Sequence, residues 1–100
     1  MTPEGNGLVY KVSLSQALKE SIKKSYREAA LRGTAKQFLE ALRIIHHRLR
    51  RDAPNFGEPL YHLRALKFVV YQVVVSPVVV VYVVHEEKPL VFLRSVRLLD

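Results

Sequence analysis

Residues 68–84 read Phe-Val-Val-Tyr-Gln-Val-Val-Val-Ser-Pro-Val-Val-Val-Val-Tyr-Val-Val, seventeen positions without a charge. A run of that length touches the lower limit for a membrane span, about 17–25 residues. Ser76-Pro77 divides it, however, and valine loses rotamer freedom in a helix while fitting a pleated surface. Two buried strands joined by a tight connection are therefore expected, and a membrane span is not. Thirteen of the fifteen valines lie at or after Val69. The reading extends to strands near 65–75, 78–85 and 90–98, with His85-Glu86-Glu87-Lys88-Pro89 as the second connection. Such segments aggregate when exposed, so another part of the chain must cover them.

The first half of the chain is written in a different period. Leu8, Tyr10, Val12 and Leu14 alternate with Val9, Lys11 and Ser13, the signature of a half-buried strand. Leu14, Leu18, Ile22, Tyr26 and Ala29 then recur at helical spacing. Ser13 and Gln16 fit a capping box at the start of this helix, and Gly33 supplies a stop. Thr34 and Gln37 fit a second box, after which Phe38, Leu42, Ile45 and Leu49 share one face. So short a turn between two amphipathic helices predicts an antiparallel pair, the available lid for the valine strands. Asp52 to Pro59, with two prolines, a glycine and an asparagine, reads as a loop. The expected fold is α+β: an N-terminal strand, a helix pair, then a three-stranded antiparallel meander with the helices on one sheet face.

One hundred residues suit one domain with one modest core. Residues 1–7 are expected to be flexible. Hydrophobic residues at 49% and charged residues at 25% are ordinary for a folded chain and argue against disorder. The absence of cysteine excludes a disulfide scaffold, a thiol nucleophile and any Cys-ligated metal. No basic stretch followed by an apolar run opens the chain, so a cytoplasmic location is expected.

Charge is unevenly placed. Residues 16–53 hold ten basic and four acidic side chains, a net of +6, whereas residues 54–100 carry only +1. A basic surface of this kind attracts polyanions such as nucleic acid or an acidic protein segment. Lys23 and Arg27 lie on the first helix, and the densest cluster is Arg43, His46, His47, Arg48, Arg50 and Arg51 on the second. These are the candidate partner contacts, although cations also complement a helix C-terminus, and a basic face is often no more than a solvated one. Phe56 and Tyr61 either stack on bases or pin the following segment to the core.

The order of these features resembles the RelE/ParE superfamily of toxins from bacterial type II toxin–antitoxin modules. The resemblance runs from the Tyr10-Lys11-Val12-Ser13-Leu14 strand through the basic helix hairpin and the Asp52–Tyr61 segment to the three terminal strands, about residues 8–98. It implies a small cytoplasmic bacterial protein, neutralised by a cognate antitoxin, that either cleaves messenger RNA on the ribosome or poisons DNA gyrase. Nuclease members usually carry an arginine early in the hairpin after the loop and another on the second or third strand. Here those stretches read Phe68-Val69-Val70-Tyr71 and Ser76-Pro77-Val78-Val79, and a His-Arg pair common on the last strand is replaced by Val96-Arg97. A catalytically silent binding module is therefore an alternative, as is a basic nucleic-acid-binding domain without an antitoxin.

Metal-free RNA cleavage needs a base for the 2′-hydroxyl, cations for the phosphorane and an acid for the leaving oxygen. Arg64, Lys67, Arg94 and Arg97 supply candidate cations, and His85 a candidate proton carrier, with His62, Tyr71 and Tyr82 as others. Alternation places Arg64 and Arg94 on strands otherwise apolar, where a charge needs a reason or marks a solvent-reaching edge. No metal or cofactor is expected: His46 and His47 are adjacent and point about 100° apart on a helix. No HExxH, Gly-rich phosphate loop or GxSxG setting is present either.

Overall fold

The computed structural model describes residues 8–99. The flexibility expected of residues 1–7 concerns a stretch outside the described residues. Strand β1 (Lys11–Ser13) leads into helices α1 (Gln16–Leu31) and α2 (Ala35–Phe56), then strands β2 (Glu58–Leu63), β3 (Phe68–Val75), β4 (Val78–His85) and β5 (Leu90–Leu98). The five strands form one mixed sheet in the order β1-β5-β4-β3-β2. β1 runs parallel to β5, and the other pairs are antiparallel. The α+β architecture is as read from the sequence, with one strand more than the expected meander.

The uncharged run is the β3–β4 hairpin, with Val75 opposite Val78 across Ser76-Pro77. Tyr71, Val78, Val80, Tyr82 and Val84 face the helices and are buried there beside Leu18, Phe38, Ile45 and Leu49. The helix pair covers this face alone. Val70, Val79 and Val83 alternate onto the other face, where no helix or strand lies over them among the described residues. They are nonetheless 0%, 2% and 6% exposed. Phe68 and Phe92 meet edge-to-face on that side, with centroids 5.6 Å apart.

The caps differ from the sequence reading in informative ways. Ser15, not Ser13, caps α1, its hydroxyl accepting the Leu18 N–H at 3.0 Å. Gly33 does end α1, at φ +78°, and the Thr34 N–H reaches the Ala29 carbonyl at 2.8 Å in a Schellman arrangement. Thr34 is the N-cap of α2 without a side-chain capping bond: its hydroxyl donates back to Ala29 at 3.3 Å. Tyr26, assigned to the buried face, is 39% exposed, and Ser25 is buried in its place.

The loop expected from Asp52 to Pro59 is not a loop. α2 continues to Phe56 through a break at Asp52 (φ −150°, ψ 36°), and β2 begins at Glu58. The break turns the Asp52 carboxylate toward the Arg48 guanidinium at 3.3 Å and the Asn55 amide at 2.9 Å. Pro54 fits immediately after it, where a helical turn restarts and the missing N–H is not needed. β2 is an edge strand, the place in a sheet that tolerates a proline such as Pro59, and Leu60 is an extra residue bulged out of its pairing with β3. Arg64, expected on a strand, sits instead in a 3₁₀ turn over Arg64–Leu66, and Lys67 closes the turn at φ +59°.

A second bulge shapes β5. Val81 pairs with Ser95 and Tyr82 with Leu93, so Arg94 is an extra residue. The bulge resets the alternation: Val91 and Leu93 face the helices before it, and Val96 and Leu98 face them after it. Arg94 therefore interrupts an apolar strand without burying its charge.

Candidate functional site

The five candidate catalytic residues do not meet. Arg64, Lys67 and His85 occupy the end of the sheet where the β2–β3 and β4–β5 connections lie. Arg97 pairs with Val79, six residues along β4 from His85, which is about 20 Å at about 3.3 Å per residue. Arg94 lies between these two levels.

At the corner, the Lys67 ammonium sits 3.2 Å from the Glu87 carboxylate, and the Lys67 carbonyl accepts the Glu86 N–H at 2.8 Å. His85 Nδ1 accepts the backbone N–H groups of Glu87 and Lys88, both at 3.0 Å. Its ring meets Phe68 edge-to-face at 5.1 Å. One ring nitrogen thus holds the turn, and Nε2 is left for proton transfer. His62 approaches Glu86 at 3.8 Å.

Tyr82 is not a proton carrier for an external substrate. It is fully buried, donates to the Ala53 carbonyl at 2.9 Å and accepts the Gly57 N–H at 2.8 Å. In an unbroken helix those two backbone groups would bond each other, so the hydroxyl is a wedge in the last turn of α2. Burial holds its pKa far above the ordinary tyrosine value. Tyr71 stacks on Tyr82 at 5.2 Å, and burial raises its hydroxyl too, with Tyr10 and Glu86 adding to the shift.

The basic cluster on α2 divides. Arg43, His46, His47, Arg50 and Arg51 follow the i, i+3, i+4, i+7, i+8 spacing of one helix face and, with Val9, line a cleft of about 280 Å³. Arg43 is bridged by Glu40, whereas Arg50 and Arg51 have no acidic partner among the described residues. The Tyr10 N–H donates to the Arg50 carbonyl at 2.7 Å and ties the segment before β1 to this end of α2. Arg48 leaves the cluster, since its guanidinium lies 4.8 Å over the Phe56 ring and pairs with Asp52. Phe56 in turn stacks near Tyr82, so it pins the end of α2, while Tyr61 is 53% exposed. Lys23 and Arg27 lie on α1, Lys23 near Glu20 at 3.7 Å.

Beside the cationic cleft lies a feature that residue types alone did not reveal. An apolar slot of about 160 Å³ opens between α1 and α2, walled by Ile22, Leu42, Ile45 and Leu49 and floored by Leu93 and Val96. His46 lines both the slot and the cleft. Finding it from sequence would have required knowing how far apart the two helices stand over β5.

Among the described residues, no three His, Asp or Glu side chains gather as a metal site, and no helix is long and apolar enough to cross a membrane. The chain matches no protein-family model and no curated protein.

Proposed function

We propose that the protein is the toxin component of a bacterial type II toxin–antitoxin pair, similar to the RelE/ParE toxins, acting in the cytoplasm. What supports the reading is the architecture: an opening strand, a basic helix hairpin laid across one sheet face, and an antiparallel run of strands closing on that first strand. The separation of Arg97 from His85 along the sheet favours action by binding, on a target such as DNA gyrase, over cleavage. A second reading, metal-independent cleavage of messenger RNA on the ribosome, draws on the corner where Arg64, Lys67 and His85 lie together with His85 Nε2 available.

The test is regulated expression in a bacterial host, with and without the neighbouring reading frame. Growth arrest relieved by a co-purifying neighbour product is expected. Intact transcripts then identify a binding toxin, and cut transcripts the nuclease. Unchanged growth together with salt-sensitive binding to free nucleic acid would overturn the proposal in favour of a nucleic-acid-binding domain without an antitoxin.

A further inference from the structure

The cationic cleft and the apolar slot share a wall. On α2, residues 43, 47, 50 and 51 turn toward the cleft, residues 42, 45 and 49 toward the slot, and His46 stands at the boundary. Lys11 and Arg50 line a further shallow groove that also reaches His46. Positive charge and an apolar recess are thus contiguous over two turns of one helix.

From this junction we infer a docking site for an acidic peptide segment that carries one bulky apolar anchor side chain. The segment's carboxylates lie on Arg50 and Arg51, charge-assisted partners that suit carboxylate geometry, with Arg43 already bridged by Glu40. The anchor enters the slot beside His46. At about 160 Å³ the slot is close to the cavity of about 150 Å³ that admits benzene, so it takes one Phe- or Leu-sized side chain and excludes a long acyl chain. Its walls are leucine, isoleucine and valine. Nucleic acid would use aromatic platforms for its bases and would gain nothing from an aliphatic recess. Charge complementarity and slot chemistry together select the acidic peptide over RNA. The inference stands on this geometry and does not require that the chain arrest growth.

The probe is a fluorescein-labelled peptide in which Glu residues flank a single Phe, compared with the same peptide carrying Ser in place of Phe. Anisotropy is measured with the whole chain and with the Arg50→Ser, Arg51→Ser double variant, whose exposed positions leave the core intact. The Phe peptide is expected to bind at least about tenfold more tightly than the Ser peptide. The double variant is expected to weaken the Phe peptide about fivefold to tenfold. Methyl resonances of Ile22, Ile45 and Leu93 are expected to shift with the Phe peptide and not with the Ser peptide. Equal affinity for the two peptides would overturn the inference, as would tighter binding of a single-stranded RNA of the same charge. A chain that arrests growth yet shows either result keeps the toxin reading and loses this site.

Discussion

Replacing Tyr82 with phenylalanine tests the wedge in the last turn of α2. The substitution keeps the ring and its stack on Tyr71 and removes only a hydroxyl that accepts from Gly57 and donates to Ala53. An aromatic ring of unchanged size leaves no large cavity, so the loss is confined to two backbone groups. Ala53 is fully buried, and leaving a buried acceptor unpaired costs about 1–3 kcal/mol. Gly57 is only half-buried, so water recovers part of its loss. About 2 kcal/mol in total corresponds to a fall in Tm of about 8–16 °C for a domain of this size. Thermal and urea unfolding followed by circular dichroism measure it, and amide exchange at Gly57 localises it. Gly57→Ala is a companion perturbation: an added Cβ would stand 2.7 Å from the Tyr82 hydroxyl and 2.9 Å from the Gln72 carbonyl. Because the hydroxyl is the nearest obstacle, the two substitutions together are expected to cost less than the sum of each alone. A Tm within about 3 °C of wild type for Tyr82→Phe, with unchanged exchange at Gly57, would refute the reasoning, as would strict additivity of the pair.

The raised pKa values of Tyr82 and Tyr71 make stability sensitive to alkali. Their folded-state values lie above the unfolded one, so the contribution is intact below about pH 10 and fades as pH rises past it. Urea titrations between neutral pH and pH 11 are expected to show this decline, and Tyr82→Phe to flatten it. Arg94→Ala is expected to change stability by less than about 0.5 kcal/mol, because the bulged residue is exposed. Deleting Arg94 removes the extra residue, leaves Val96 opposite Val80 and Leu98 opposite Val78 on the helix face, and is expected to keep unfolding cooperative in the same urea assay. Arg48→Ala, which removes the guanidinium from Phe56 and Asp52, is expected to destabilise by about 1 kcal/mol in thermal melts.

The valine run was legible because composition and a dividing proline agree with each other, and Gly33 because positive φ has few other occupants. β2 was hidden by its own protection: proline, a bulge and nearly complete exposure remove the alternation that marks a strand. The Asp52 break reads as the start of a loop in the sequence because Asp, Pro, Asn and Gly mark the end of a helix whether or not it resumes. That Arg43, His47, Arg50 and Arg51 cluster on the second helix followed from the sequence. That Arg48 turns inward did not, since it depends on where Phe56 lands after the break. Arg97 and His85 share a hairpin-rich sheet, but their separation is a matter of register, which residue types do not encode.

Strand β5 is the partner of both β1 and β4, and β1 is separated from it by nearly the whole described chain. Folding therefore waits on β5: β4, rich in valine, has one edge unpaired until residues 90–98 are in place. A message truncated between the codons for His85 and Leu90 would release a chain whose most adhesive edge never finds its mate and whose first strand has nowhere to dock. The adhesive edge of β4 is therefore protected by one short segment, residues 90–98, which at the same time anchors the first strand.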